Sequence, residues 1–321
     1  ANVLCVIPTR LPISEAVMAS AHTWWMGCER VLLSVSVNTQ QTGPFPLVKQ
    51  AWNNLKSDLN SSGLFSRVTL IFNRHTSARD LWLPLRSAIS HAAKHRMQGM
   101  DWMLLVEDDA FVEFRRLKTF LHGFSPTVPR FFGACACKRS PGINLFSKAG
   151  LLLLERVLPK CAPIGPGWHD FDGSIVDPEG ASDVSVMSCL ERANLTCSAA
   201  LDAQGGMLIS AMKSTPLLTL LRLLDHAATH RRFCSEWPCS KKSGCWSHDA
   251  FGFHAAALKQ PTLITAFANR FLKGASTSQR VALASARASL DGLGRTRPRR
   301  VASISARHSQ HVEWTLTRKG H

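Results

Sequence analysis

Tyrosine is absent from this chain of 321 residues, although tryptophan occurs nine times; nothing in the sequence accounts for that bias. Long apolar runs are missing too. No stretch approaches the roughly 18 consecutive apolar residues that read as a membrane span. The nearest, Leu217 to Leu224, is short and is broken by Arg222. The sequence therefore offers no spanning segment of its own. A membrane anchor is expected upstream of Ala1, a first residue that reads as the product of processing or trimming. No internal repeat is present. Zinc-type cysteine pairs are also lacking, since Cys135-x-Cys137 and Cys234-x4-Cys239-x5-Cys245 do not match the usual spacings.

Acidic residues are scarce, 22 against 38 lysines and arginines, for a net charge of +16. The imbalance is concentrated at one end. Residues 271–321 hold ten basic side chains and two acids, Asp291 and Glu313, so +8 sits in the last sixth of the chain. This stretch is rich in Ser, Ala and Arg with thinly spread apolar residues, and residues 274–321 read as a disordered extension. A basic tail can bind nucleic acid, anionic lipid heads or acidic glycans; a merely solvated tail is the plainer reading. Nucleic acid is not expected as a partner, because the interleaved aromatics and basic strands of the usual modules are absent.

What remains is substantial. With 45% hydrophobic residues the chain can bury one large core or two small ones. Ten cysteines permit full pairing without showing it. Together with the sequons Asn60-Ser61-Ser62 and Asn194-Leu195-Thr196, they favour an oxidising secretory compartment.

Apolar runs alternate with helical patterns through the first third. Strands are expected at Val3–Pro8, Val31–Val37, Val68–Phe72 and Trp102–Val106. Helices are expected at Ile13–Trp25, Leu47–Leu59 and Leu81–Arg96, the last with Pro84 in its first turn, where proline is tolerated. This order implies an α/β fold with a largely parallel sheet covered by helices on both faces. The second half is less regular. Ala149–Leu158, Val184–Arg192 and Leu217–Arg231 read as helices, and 163–180 as loop.

The strand Trp102–Val106 runs directly into Glu107-Asp108-Asp109. Adjacent carboxylates at the end of an apolar strand repel one another and are costly unless a cation sits there. In open α/β sheets ligands bind outside the carboxyl ends of strands. Alternate residues of an extended chain share a face, so Glu107 and Asp109 form a workable half-shell for a hard divalent ion bound to a diphosphate. The competing reading is an exposed acidic turn.

Asp101 to Leu121, DWMLLVEDDAFVEFRRLKTFL, resembles the DxD segment of the β1,3-glycosyltransferases of family 31, above all the core 1 β1,3-galactosyltransferase branch. Three further segments are similar, in the same order. They are Thr23-Trp24 with Cys28 and Val31-Leu32; Ser182-Asp183-Val184 with Cys189-Leu190-Glu191; and His248 to His254. The resemblance covers roughly residues 3 to 271 and implies a catalytic domain over 1–273.

It also implies a GT-A fold, which is Rossmann-like, a UDP-sugar donor with Mn²⁺ or Mg²⁺, and inverting transfer to a hydroxyl of a glycan or glycopeptide. The implied reaction is galactose placed in β1,3 linkage on GalNAc-Ser/Thr, in the Golgi or endoplasmic reticulum lumen, by a type II membrane protein that can form a homodimer. Glu107, Asp109 and His254 correspond to metal ligands, and Asp183 to the catalytic base. Asp108, Pro8, Thr9 and Arg79 correspond to the nucleotide and diphosphate side, and Trp237 to the acceptor side. The ordinary alternatives stand beside each: a hydrogen-bonded core histidine for His254, a helix cap for Asp183, a surface cation for Arg79. Cys161 and Cys189 occupy the places of a family disulfide.

Several residues depart from the pattern: Glu107 in place of Asp, Ser182 in place of an acid, Pro84 where a lysine is expected (with Arg86 nearby), and Ser147–Leu151 in place of a Gly-rich acceptor-side element. Two other functions compete. One is an inactive homologue serving as a chaperone or glycan-binding protein, against which the retained acids argue; the other is a basic anion- or nucleic-acid-binding protein.

Overall fold

The computed structural model describes residues 1–10, 13–38, 46–61, 63, 65–75, 82–133, 142–161, 186, 189–212, 233–237, 240–247, 249–255 and 264–265. Its centre is a seven-stranded sheet. Strand β1 (Val3–Arg10) is flanked by β2 (Arg30–Asn38) and β4 (Trp102–Val106), and β3 (Val68–His75) lies outside β2. These four strands pair in parallel. Beyond β4, the strand β7 (Ile143–Ser147) runs antiparallel. Then come β6 (Phe131–Gly133) and β8 (Cys197–Ala199), giving the order β3-β2-β1-β4-β7-β6-β8.

Strand alternation sorts the core into two layers. Val3, Cys5 and Ile7 of β1, with Trp102, Leu104 and Val106 of β4, face one cluster. It is closed by α1 (Glu15–His22), α2 (Pro46–Ser61) and α4 (Phe114–Leu121). Leu4 and Val6, with Met103 and Leu105, face the other, closed by α3 (Trp82–His91) and α5 (Lys148–Val157). Every second side chain thus changes face, and helices cover both. The expected α/β arrangement with a mostly parallel sheet is what the chain adopts.

The expected elements of the first third are all present, with small shifts in their ends. The first helix stops at His22 and a 3-10 turn, Trp24–Gly27, follows. The third ends at His91 and continues as a π-turn, Ala92–Arg96. In α5, Gly150, Leu151 and Leu154 are buried but Leu152 is 40% exposed, so that helix is amphipathic and not apolar all round. Val186 and residues 189–192 are helical. The expected helix at Leu217–Arg231, the loop at 163–180 and the tail lie outside the described residues. Among the described residues, no helix is long and apolar enough to cross a membrane.

A smaller sheet lies beside the large one. Strand β5 (Ala110–Val112) continues from the acidic triplet and pairs antiparallel with β12 (Gly252–Ala255), which pairs in parallel with β9 (Ile209–Met212). A hairpin of β10 (Phe233–Trp237) and β11 (Ser240–Trp246) precedes β12. Among the described residues, two disulfides fix loops to the core. Cys5–Cys28 ties β1 to the entry of β2, and Cys161–Cys189 forms as the family pattern implies.

Candidate active site

The order of the large sheet reverses at β1. The chain steps outward from β1 to β2 and β3, then returns to place β4 on the other side of β1. The crevice between the carboxyl ends of β1 and β4 is therefore the topological switch point, where ligands of open α/β sheets bind. Residues Pro8–Thr9 and Glu107–Asp109 stand at these two ends. The paired strands run in register, with Val6 beside Leu105. Three residues further on, the Thr9 hydroxyl donates to Asp108 Oδ2 at 2.9 Å. Two residues expected on the nucleotide side are thus joined across the switch point.

The acidic triplet does not continue the strand. Asp108 and Asp109 form a turn that carries the chain from β4 into β5. The alternation argument for Glu107 and Asp109 therefore fails, because the chain must change sheets here. What separates the acids is burial: Asp109 is buried at 6% exposure, while Glu107 and Asp108 are half-buried. The Glu107 N–H donates to the Gly142 carbonyl at 2.8 Å. Gly142 has φ of +73°, a left-handed conformation that favours glycine, so this anchor depends on that residue.

The small sheet brings the late motif to the same place. His254 pairs in register with Ala110, the residue after Asp109. The backbone of His254 therefore lies beside the triplet, across about 140 residues of sequence; its side chain lies outside the described set. Among the described residues, no group of three His, Cys, Asp or Glu side chains is placed to hold a metal ion. Arg79 and Asp183 lie outside the described residues. Trp237 ends β10, opposite Ser240 after a bulge, and its side chain is likewise not described. Ser147 pairs with Trp102, at the amino end of β4. The segment Ser147–Leu151 thus begins at the far end of that strand from the triplet and does not border the crevice, contrary to its expected acceptor-side place.

Sequence reasoning named Thr9 for the nucleotide side but missed the set of buried polar residues to which it belongs. Thr9, Ser34, Ser36, Asn73 and Asn144 are all at least 94% buried. They interrupt apolar strands toward the carboxyl edge of β1 to β4, where β7, running the other way, contributes Asn144 near its start, beside Leu105. Asn73 Nδ2 donates to Ser34 Oγ at 2.8 Å. The signal was present in VLLSVSVN, where serines break an otherwise apolar strand. Buried polar groups need partners, and a rim of them at one edge gives the crevice a polar floor.

Glu113 and Arg116 were also missed. Glu113 caps α4, accepting from Arg115 N at 3.3 Å and Arg116 N at 2.9 Å. Burial lowers the pKa of the Arg116 guanidinium; the Glu113 and Asp249 carboxylates oppose that shift, and Arg115 adds to it.

No known family model matches the chain. Among solved structures, it is similar to galactosyltransferase LgtC in complex with donor and acceptor sugar analogs. The identity is 8% and the TM-score 0.42, over 87% of this chain and 99% of that one. It is also similar to mouse xyloside xylosyltransferase 1 in its apo form, at 10% identity and a TM-score of 0.37, over 81% of this chain and 99% of that one. At these scores the likenesses assign neither donor nor acceptor to this chain.

Proposed function

We propose that this chain is the catalytic part of a metal-dependent glycosyltransferase of GT-A type. It moves a sugar, galactose, from a UDP-sugar to a hydroxyl of a glycan or glycopeptide, with inversion and in β1,3 linkage to GalNAc on Ser or Thr. The observation that carries this reading is the acidic triplet at the switch point, tied to β1 through Thr9 and Asp108 and flanked by the backbone of His254. The exposed Asn60 and Asn194 of the two sequons and the disulfides support residence in the Golgi or endoplasmic reticulum lumen.

The donor set suits the implied ion. Carboxylate oxygens with one imidazole are ligands for a hard or borderline divalent cation such as Mn²⁺ or Mg²⁺, and Asp109 is enclosed enough to be costly as a charge unless it is matched. Glu107, Asp109 and His254 are the residues that would hold it. When bound, such an ion offsets the negative charge that develops on the departing diphosphate. Pro8, Thr9 and Asp108 orient the nucleotide, and Arg79 is the cation assigned to the diphosphate. Asp183 takes the proton of the acceptor hydroxyl. The acceptor oxygen bonds to the anomeric carbon as the carbon–oxygen bond to UDP breaks, and the bonding pair leaves with UDP. Trp237 is the residue assigned to the acceptor side.

Thermal unfolding with UDP tests the reading. UDP with Mn²⁺ should raise the midpoint, EDTA should remove the rise, and added Mn²⁺ should restore it. Asp109→Ala should abolish the metal effect. Undiminished, metal-independent UDP affinity in that variant would sink the assignment.

A further inference from the structure

We propose that Glu113 and Arg116 are positioning residues that set the register of β12 on β5, and with it the place of His254 beside the acidic triplet; the inference rests on the reading of the site given above. Strand β5 ends at Val112, so Glu113 is the hinge between the triplet's own strand and α4. Its N–H donates to the Phe251 carbonyl at 2.7 Å. Its carboxylate, 6% exposed, lies 3.8 Å from Arg116 Nε. Arg116 Nη1 then donates to the Ala250 carbonyl at 3.1 Å, a residue 134 positions away in sequence. Both contacts grip the backbone immediately before β12 begins at Gly252.

Helix capping accounts for Glu113 alone, because a cap needs only the N–H groups of Arg115 and Arg116. It does not account for the reach of Arg116 to Ala250. That reach has a clear consequence, because β12 meets β5 over three register pairs only: Gly252 with Val112, Phe253 with Phe111 and His254 with Ala110. Strand side chains alternate between faces, so a slip of one residue would set Phe253 opposite Ala110 and turn each side chain to the other face. On the β5 side the pair holds the chain at 250–251, while on the other side the Phe251 and Gly252 N–H groups donate to the Leu208 carbonyl at 2.9 and 3.1 Å, and the pair thereby favours this register against β5. Arg115 provides a contrast. Its side chain is 66% exposed, and its Nε lies 3.3 Å from Glu113, whereas the Arg116 side chain is 30% exposed.

Hydrogen exchange on the full chain without ligand tests the grip directly. In Arg116→Gln the amides of 252–255 should exchange at least about tenfold faster than in wild type, as expected when a locally stabilising contact is lost. The Mn²⁺ concentration giving half of the UDP-dependent thermal shift should rise about tenfold, the usual scale for a group that supports a metal ligand. Arg116→Lys keeps the charge without the planar fork and should fall between the two, and it serves if the glutamine variant does not fold. Unchanged exchange in both Arg116 variants overturns the proposal. So does faster exchange with an unchanged Mn²⁺ requirement, which makes the pair structural only. If wild type shows no Mn²⁺-dependent response to UDP, the functional reading fails, and the role in placing His254 as a ligand fails with it. The exchange data then still decide whether the pair holds β12.

Discussion

Asp109 and Glu107 are two residues apart yet sit in different surroundings, one enclosed and one half-exposed. Neighbouring acids in unlike environments can take unlike roles, so the enclosed Asp109 is the better test of metal dependence. The proposed base is a separate matter. Asp183→Asn should keep the fold and UDP binding but lower transfer by about 10²–10⁴-fold, the scale of a lost general base. Comparing turnover with UDP affinity in the same preparation checks this. If the variant unfolds while transfer survives in its folded fraction, Asp183 is a helix cap and another group is the base. At this scale the site was partly legible. Three acids after a wholly apolar strand stand out in any reading, because that contrast is local in sequence. Thr9, Ser34, Asn73 and Asn144 were less visible as a group, since only the sheet brings their separate strands to one edge.

The elements of the first third were readable because each strand is dominated by apolar, mostly branched residues and each helix shows its own period. Strands β5, β6 and β8 are three residues long, too short for any period to show. Antiparallel β7 was missed for another reason: Ile143–Ser147 is buried along its whole length and flows without a break into α5. The join between α1 and β2 gives an element-scale prediction. A Cβ at Gly27 would fall on the ring of Phe114. That ring, at the start of α4, is stacked on Trp24 with centroids 6.3 Å apart, so neither can yield without disturbing the other. Gly27→Ala should therefore cost about 1–3 kcal/mol, the usual scale of overpacking, as measured by denaturant unfolding. A midpoint unchanged from wild type would show that α4 shifts freely and is not wedged by this turn.

At the scale of the whole molecule, the catalytic unit is proposed to end near Lys273, because the family resemblance stops near Phe271 and half of the net charge lies beyond it. A chain ending at Lys273 should keep its thermal midpoint and its turnover on a small soluble acceptor. It should lose affinity for polyanionic acceptors at low salt, where charge is least screened. A large drop in midpoint would place part of 274–321 on the core. The other whole-molecule consequence concerns timing. Cys5 and Cys28 are 0% and 1% exposed, joined inside the layer between the sheet and its helices. Once those layers close, neither sulfur can be reached by an oxidant, an isomerase or a small reductant. The bond must therefore form while β1 is still open to solvent, and a chain oxidised late would be sealed with two thiols inside. Dithiothreitol should leave this link intact in the native protein and cleave it only when guanidinium opens the core, as followed by alkylation of Cys5 and mass spectrometry. Rapid labelling without denaturant would show that the layer breathes. Maturation thus runs against a clock set by the closing of the core, and the oxidising machinery has to act first.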